Sequence, residues 1–424
     1  MKLKKKIWIF NHYATGMFTD ESGRHFSFAK NLKDFGHQPT IFCASTIHNT
    51  EEEIELGTNT AALFKTEQKA GVDFVFIKTP PYKGNGSSRI KNMYGFYRGL
   101  FPVAKEYVKS HGKPDVILAS SVHPLTLVAG IKIAKKLGVP CVCEVRDLWP
   151  ESLVAYDMIN EKNVFTKVMY QGENWIYKNA NSLIFTMEGG KDYIIHRKWN
   201  RENGGKVDLS KVYHINNGVD LENFHYNKEH FQLIDPDLVN PELFKVVYAG
   251  SIRKANNIKR LVDIAEHVQE QGHHQIKFLI YGDGPDREGL ELYCMEQNIL
   301  NVEFKGRVDH KYIPYILSCS NLNIVQLFEE NPLKQYGTSV NKIFEYFASG
   351  KPTLSDCEYG YDLIQRYQCG IVLNNAGIDE LANAIIGFSE MNQEEYDQYC
   401  NNALIAAQDY DFKVLTKKLE QILI

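Results

Sequence analysis

The chain has 424 residues, more than one hydrophobic core usually serves, so two domains are expected. A formal net charge of -4 with 24% charged residues excludes the basic footprint of a nucleic-acid binder. The eight cysteines are scattered, with no Cys-x-x-Cys pair and matching histidines, so neither a zinc site nor a disulfide framework is indicated, and a reducing compartment fits.

A first strand is expected at 6–10. The apolar run there is too short for a signal peptide, Asn11 and His12 interrupt it, and no later stretch reaches the roughly 20 apolar residues of a spanning helix. A long loop over 11–22, containing Gly16, leads to Gly23-Arg24-His25-Phe26 at a helix start, and Gly16 and Gly23 let backbone amides approach an anionic ligand. No Gly-x-Gly-x-x-Gly follows the strand, which argues against a cofactor-binding dehydrogenase. Further strands at 40–44, 74–78, 116–119, 141–144, 182–185 and 211–215 alternate with helices at 23–35, 89–108, 125–137, 164–178 and 189–197, the pattern of a parallel sheet covered on both faces.

Three segments of this half carry candidate chemistry. In the segment over 83–101, Lys83, Arg89, Lys91 and Arg98 interleave with Tyr94, Phe96, Tyr97 and Phe101, which suits either a membrane interface or an ordinary amphipathic helix with a solvated basic face. His123 follows the strand at 116–119, where histidine serves either proton traffic or a loop hydrogen bond. Glu144-Val145-Arg146-Asp147-Leu148-Trp149-Pro150-Glu151 places three carboxylates and an arginine after a buried strand, a density that needs a ligand or an internal ion network.

A polar stretch over 221–243, with Pro236 and Pro241, reads as a linker. Beyond it a second strand series is expected at 244–249, 276–281, 302–305, 322–325, 353–355 and 371–373. The fold class is therefore α/β: two Rossmann-like doubly wound domains, 1–220 and 244–409, facing a cleft lined by strand C-termini, with a helix over 410–424 that is free to pack back on the first domain.

The strand ends of the second series hold the most informative residues. Arg253 and Lys254 follow the strand at 244–249 and are placed to meet a diphosphate. Gly282 and Gly284 in Tyr281-Gly282-Asp283-Gly284-Pro285 admit a ligand close to backbone, and Arg307 ends the next strand in position to hold a base. In Asn341-Lys342-Ile343-Phe344-Glu345 a helix begins whose N-terminus suits phosphate and whose Glu345 suits the two hydroxyls of a ribose. Together they compose a nucleoside-diphosphate site.

Six segments in order, GRHFSFAKNL at 23–32, EVRDLWPES at 144–152, NNGVDLENF at 216–224, YAGSIRKANN at 248–257, YGDGP at 281–285 and NKIFEYFASGKP at 341–352, resemble the family 4 retaining glycosyltransferases of GT-B fold, in particular capsule and O-antigen enzymes similar to L-fucosamine transferase-like proteins. The resemblance spans nearly the whole chain. It implies an N-terminal acceptor domain, with Arg89, Arg146, Asp147 and Glu151 as acceptor-binding residues, and a C-terminal domain for a nucleotide-sugar, with UDP as the expected nucleotide. It implies Gly16, Gly23, Arg253, Lys254, Gly282, Gly284, Arg307, Asn341, Lys342 and Glu345 as donor-binding residues and His123 and Lys254 as catalytic ones, with no metal and no cofactor. The implied partner is a lipid-linked saccharide at the cytoplasmic face of the membrane, where the chain sits peripherally. One departure is Gly337, which stands where the family has the first of two motif glutamates; Glu329 and Glu330 are out of register. A UDP-sugar 2-epimerase of the same fold and a catalytically silent nucleotide-binding subunit are the competing readings.

Overall fold

The computed structural model describes residues 4–56, 63–84, 86–121, 123–325 and 332–424. The chain divides into two compact units, Met1–Asn216 together with Phe412–Ile424, and Asn217–Asp411.

In the first unit, β1 (Lys6–Phe10), β2 (Gln38–Ala44), β3 (Phe64–Lys69), β4 (Val72–Ile77), β5 (Val116–Ser120), β6 (Cys141–Val145), β7 (Ser182–Phe185) and β8 (Val212–His214) form one sheet in the order β3-β4-β2-β1-β5-β6-β7-β8. All neighbours run parallel except β3, which is antiparallel to β4. Strands β1, β2 and β4 to β7 are almost wholly buried, as a sheet covered on both faces requires, and Trp8, Phe10, Phe42 and Tyr107 interlock at ring-centroid distances of 4.9 to 6.3 Å. Because β1 lies between β2 and β5, the chain order reverses at β1/β5, and residues past those two strand ends share one switch point.

The second unit holds β9 (Phe244–Ala249), β10 (Ile276–Tyr281), β11 (Val302–Gly306), β12 (Leu322–Val325), β13 (Thr353–Ser355) and β14 (Gly370–Val372) in the all-parallel order β11-β10-β9-β12-β13-β14. Its switch point lies between β9 and β12. The helix Ile258–Glu270 carries Ile258, Leu261, Val262, Ala265 and Val268 at helical spacing and buries that stripe in the core with Val246, Phe278 and Ile280.

Two sequence expectations change, and the placing of the last helix, left open by the sequence, is settled. The polar stretch 221–243 is not an unstructured linker: it forms helices Leu221–His230 and Pro236–Val239 within the second unit. Asp235 accepts from the Tyr281 hydroxyl at 2.8 Å, and Lys305 spans Asp235 and Asp237 at 3.0 and 2.6 Å, which fixes the stretch to β10 and β11. The loop 11–22 contains a helix, Thr15–Asp20, in which Gly16 is the second residue. The last helix, Phe412–Leu423, belongs to the first unit, where Phe412 meets Phe28 edge-on and Glu420 lies 3.0 Å from His37. Among the described residues no helix is long and apolar enough to cross a membrane.

Candidate active site

In the second unit the ends of β9, β10 and β11 turn at glycines, and past β10 two of them, Gly282 and Gly284, leave no space for a side chain. Gly250 donates its N–H to Tyr281 O, and Gly282 donates to Gly306 O. A Cβ on Gly282 would stand 1.8 Å from Gly250 O, and one on Gly284 would stand 2.0 Å from Ile252 O. Gly282, at φ +149, also occupies backbone space that L side chains rarely adopt. The strand ends are thus backbone laid on backbone, a surface a phosphate chain can approach closely.

The helix Asn341–Ala348 begins beside this surface. Lys342 donates to the Tyr248 hydroxyl at 3.0 Å, its ammonium lying 4.2 Å from the Tyr248 ring centroid, while that hydroxyl donates to Ser251 O at 2.9 Å. Burial, with the Arg253 guanidinium adding to it against the pull of Glu345, draws Lys342 down to about 7. Exposed Arg253 and Lys254 flank the turn after β9, Arg307 is exposed after β11, and Asn341 is exposed in the first turn of the helix. Glu345, one turn in, lies 2.7 Å from the exposed His310. Beneath them Tyr346 closes the switch point: its hydroxyl accepts from the Ala249 N–H at 3.2 Å and donates to Ile324 O at 3.3 Å. The β9/β12 ladder itself pairs Leu322 with Val246 and Asn323 with Val247, so Tyr346 bridges the strands just past the point where their pairing stops. Gly337 takes φ +93, a left-handed conformation that disfavours the glutamate the resemblance places there. Glu329 and Glu330 lie outside the described residues.

In the first unit, His123 is completely buried just past β5, and its Nε2 lies 2.8 Å from His12 Nδ1, just past β1. His12 is stacked between Tyr13 and Phe96, with centroids at 4.3 and 4.5 Å. Burial, reinforced by Arg89, pulls His123 down to about 3, and burial with the neighbouring His123 takes His12 well below the usual histidine range. Both rings are neutral at physiological pH. Arg89 donates to the Tyr13 hydroxyl at 3.3 Å, which sets it on this same cluster. His12 is not among the site residues expected from the sequence, although it carries the same signal as His123, a histidine just past an apolar strand.

The polar segment after β6 resolves into separate parts. Glu144 is completely buried and takes Arg24 at 2.7 Å, His25 at 2.9 Å and the Ser120 hydroxyl at 2.8 Å. Burial pushes its carboxyl up, but Arg24 and His25 outweigh that and hold it well below the usual carboxylate range. Arg24 also donates to Ile215 O and Asn216 O, and Gly23, at φ +101, starts its helix. Glu144 is therefore satisfied by an internal network. Glu151 is likewise engaged, accepting from Tyr170 at 2.7 Å and facing Arg197 at 3.5 Å, while Asp147 is exposed and Arg146 partly so. Within 83–101, Phe96 is core: it is fully buried against His12, and Tyr97 accepts from Lys132 at 3.2 Å. Ile90, Lys91, Tyr94 and Arg98 form the exposed part of that helix. Among the described residues no group of three or more His, Cys, Asp or Glu side chains is placed to hold a metal ion.

Residues 26–223 match the family described as Glycosyltransferase Family 4, and residues 244–390 match that described as Glycosyl transferases group 1. The protein described as a probable glycosyltransferase, WbjE, of Pseudomonas aeruginosa is 21% identical over 253 residues, 59% of either chain, so the match spans less than two thirds of that relative. Among solved structures, sucrose-phosphate synthase from Thermosynechococcus elongatus superposes with a TM-score of 0.69 at 17% identity over 99% of this chain and 98% of that one. Anabaena Alr3699/HepE in complex with UDP gives 0.64 at 14% identity over 99% of both. Two parallel-sheet α/β units with these likenesses define the GT-B fold, and the two sequence matches define a glycosyltransferase. The chain is a glycosyltransferase, and the two matches together support placing it with family 4.

Proposed function

We propose that the enzyme transfers a sugar, with retention at the anomeric carbon, from a UDP-sugar to a lipid-linked saccharide during synthesis of a bacterial surface polysaccharide. The observation that carries the donor half of this reading is the array of side-chain-free strand ends at Gly250, Gly282 and Gly284 flanked by Arg253, Lys254 and Lys342, with Glu345 one helical turn away. Bare backbone and three cations suit a diphosphate, and a carboxylate at that distance suits a ribose. The UDP complex of the Anabaena neighbour supports the same reading. In the reaction the bond from C1 to the β-phosphate oxygen breaks and a bond from C1 to the acceptor oxygen forms on the same face. The acceptor's proton passes to the departing phosphate oxygen. Lys254 and Arg253 stabilise the charge that develops there, so the reading requires neither a metal nor a protein nucleophile.

The acceptor half rests on the exposed Lys91, Arg98, Ile90 and Tyr94 with Lys83, a surface that suits the cytoplasmic face of an anionic membrane. A panel of UDP-sugars incubated with and without membrane lipid extract, with released UDP measured, tests the whole reading. UDP release that depends on the extract is expected. Interconversion of UDP-sugars without an acceptor would make the protein an epimerase, and nucleotide binding without turnover would make it a silent subunit. If no uridine or other nucleotide raises thermal stability, the donor site is refuted, because a ligand bound to the native state stabilises it by mass action. Vesicle sedimentation tests the membrane contact: salt-insensitive binding, or binding unchanged when Lys83, Arg89, Lys91 and Arg98 become glutamine, would overturn it.

A further inference from the structure

The helix Val164–Asn179, between β6 and β7, turns only one side to the rest of its unit. Tyr170, Glu173, Ile176 and Tyr177 are buried on that side, and the helix start is fixed by Asn163, whose side chain accepts from the Phe165 N–H at 2.9 Å. The opposite side is apolar and uncovered among the described residues: Val164 is 76% exposed, Phe165 67%, Val168 57% and Trp175 39%. At helical spacing these four and Gly172 fall on one strip along the helix. Their exposed side chains amount to on the order of 400 Å², the size of the largest apolar patch on a typical monomer, and such patches mark contact sites. Exposed Tyr156 and Met158, in the segment leading into the helix, carry the apolar surface toward the roughly 800 Å² per partner of a stable interface.

Gly172 decides what covers the strip. It is exposed in mid-helix, where only proline is less favourable than glycine, and nothing lies within 4 Å of where its Cβ would stand. The chain's own fold therefore does not need the missing side chain. A bilayer does not need it either, because acyl chains would fill around an alanine as well. A second helix does, since a residue without a Cβ is a hole that takes a side chain from the facing helix and lets the two axes approach. The strip supplies its own counterpart. Val168 lies two residues before Tyr170 and Gly172 two after it, while Phe165 lies five before and Trp175 five after. An antiparallel copy turned about a two-fold axis level with Tyr170 sets Val168 into the partner's Gly172 and Phe165 against the partner's Trp175, and each contact occurs twice.

We propose that the chain forms a two-fold symmetric dimer by antiparallel pairing of its Val164–Asn179 helices. The interface is self-complementary and closes after two copies. Lys167 and Lys178 flank the strip, and the one carboxylate of the helix, Glu173, is buried, so pairing crowds like charges at the rim and salt tightens the dimer. The pairing is independent of the proposed transfer reaction.

Sedimentation equilibrium of the full chain at micromolar concentrations, at low and high salt, tests this. A dimer is expected, tighter at high salt, whereas binding to anionic vesicles weakens with salt. Val168→Glu and Gly172→Leu, both at exposed positions, should each raise the dissociation constant about tenfold or more while the circular dichroism spectrum stays that of the parent. Gly172→Ala should weaken the dimer yet raise the melting temperature of the dilute monomer, because the site has room for a methyl group and alanine favours the helix. Gln171→Cys, one residue from the axis, should cross-link to its own copy with a short bismaleimide, and the parent, whose cysteines are buried or half-buried, should not. A parent that is monomeric at all these concentrations, or a dimer left intact by both Val168→Glu and Gly172→Leu, overturns the proposal. A monomeric parent whose vesicle binding is lost in Val168→Glu also overturns it, and would make the strip a bilayer contact.

Discussion

Lys342 holds its ammonium 3.0 Å from the hydroxyl of Tyr248, at the end of β9, where burial and Arg253 draw it down to about 7. A lysine titrating near neutrality beside a diphosphate site couples nucleotide affinity to pH. An arriving dianion favours the protonated form, so binding takes up a proton when the pH exceeds about 7. UDP affinity is expected to be flat below that pH and to fall by up to about tenfold per pH unit above it, until the nucleotide-bound pKa is reached. Isothermal titration across pH 6 to 9 checks this, with Lys342→Met expected to abolish the dependence. The sign for stability is opposite in use: because the folded pKa is depressed, the burial penalty is full below about 7 and fades as pH rises toward the unfolded value.

Glu345→Ala should weaken UDP binding about tenfold or more and leave the melting temperature nearly unchanged, since the carboxylate meets the exposed His310 and not the core. Equal affinity in parent and variant, measured by the same titration, would remove Glu345 from the ribose.

Lys254 is exposed and flanks the β9 turn, so Lys254→Ala should cost turnover and little stability. A fall in kcat of about a hundredfold at saturating donor is expected for loss of a cation opposite the leaving diphosphate. An unchanged rate would take Lys254 out of the mechanism.

Tyr346→Phe tests the switch point of the second unit. It strands the Ala249 N–H and Ile324 carbonyl in a buried setting, and about 1–3 kcal/mol of stability should be lost. Denaturant unfolding measures this. A neutral substitution would mean that the two strands close on each other when the hydroxyl is gone.

Glu173 is a buried carboxyl that accepts from Tyr177 at 2.6 Å and Tyr193 at 2.8 Å, and burial pushes it up to about 8 despite those bonds. A raised pKa means that its contribution is fully present below the unfolded value near 4.5 and is lost as pH rises through about 8. Glu173→Gln should therefore melt higher than the parent at pH 8.5, by several degrees, with the gap closing at pH 5. A pH-independent gap would show that the carboxyl is not protonated in the native state.

Most strands were legible because they are short β-branched or aromatic runs ending at glycine or polar residues: β1, β7, β9, β10 and β12 stand where the pattern puts them. β3 was not, since Phe64-Lys65-Thr66-Glu67-Gln68-Lys69 is an edge strand with little apolar content to mark it. The structure of 221–243 was hidden for another reason. What orders it is Asp235 and Asp237 meeting Lys277, Tyr281 and Lys305, partners about forty to seventy residues away that local periodicity cannot show.

The donor-side glycines and cations were readable as strand-end punctuation, whereas the contacts among them were not. Lys342 and Tyr248 are 94 positions apart, and His12 and His123 are 111 apart; only the sheet order brings each pair together. Phe96 is the converse case. It shares helical spacing with Asn92, Leu100 and Val103, all buried, so the periodicity already placed it inward although its aromatic neighbours suggested a membrane face.

The contact of Gly282 with Gly250, and of Gly284 with Ile252, has a bearing on how such an enzyme can change its substrate. Where a Cβ has 1.8 to 2.0 Å of room, the wall of the pocket is main chain, and main chain cannot be exchanged by point mutation. Side-chain change is closed to these positions, so discrimination between transferred sugars is expected to be written in side chains elsewhere. A mutational library aimed at new donors should keep these three glycines fixed and randomise around them.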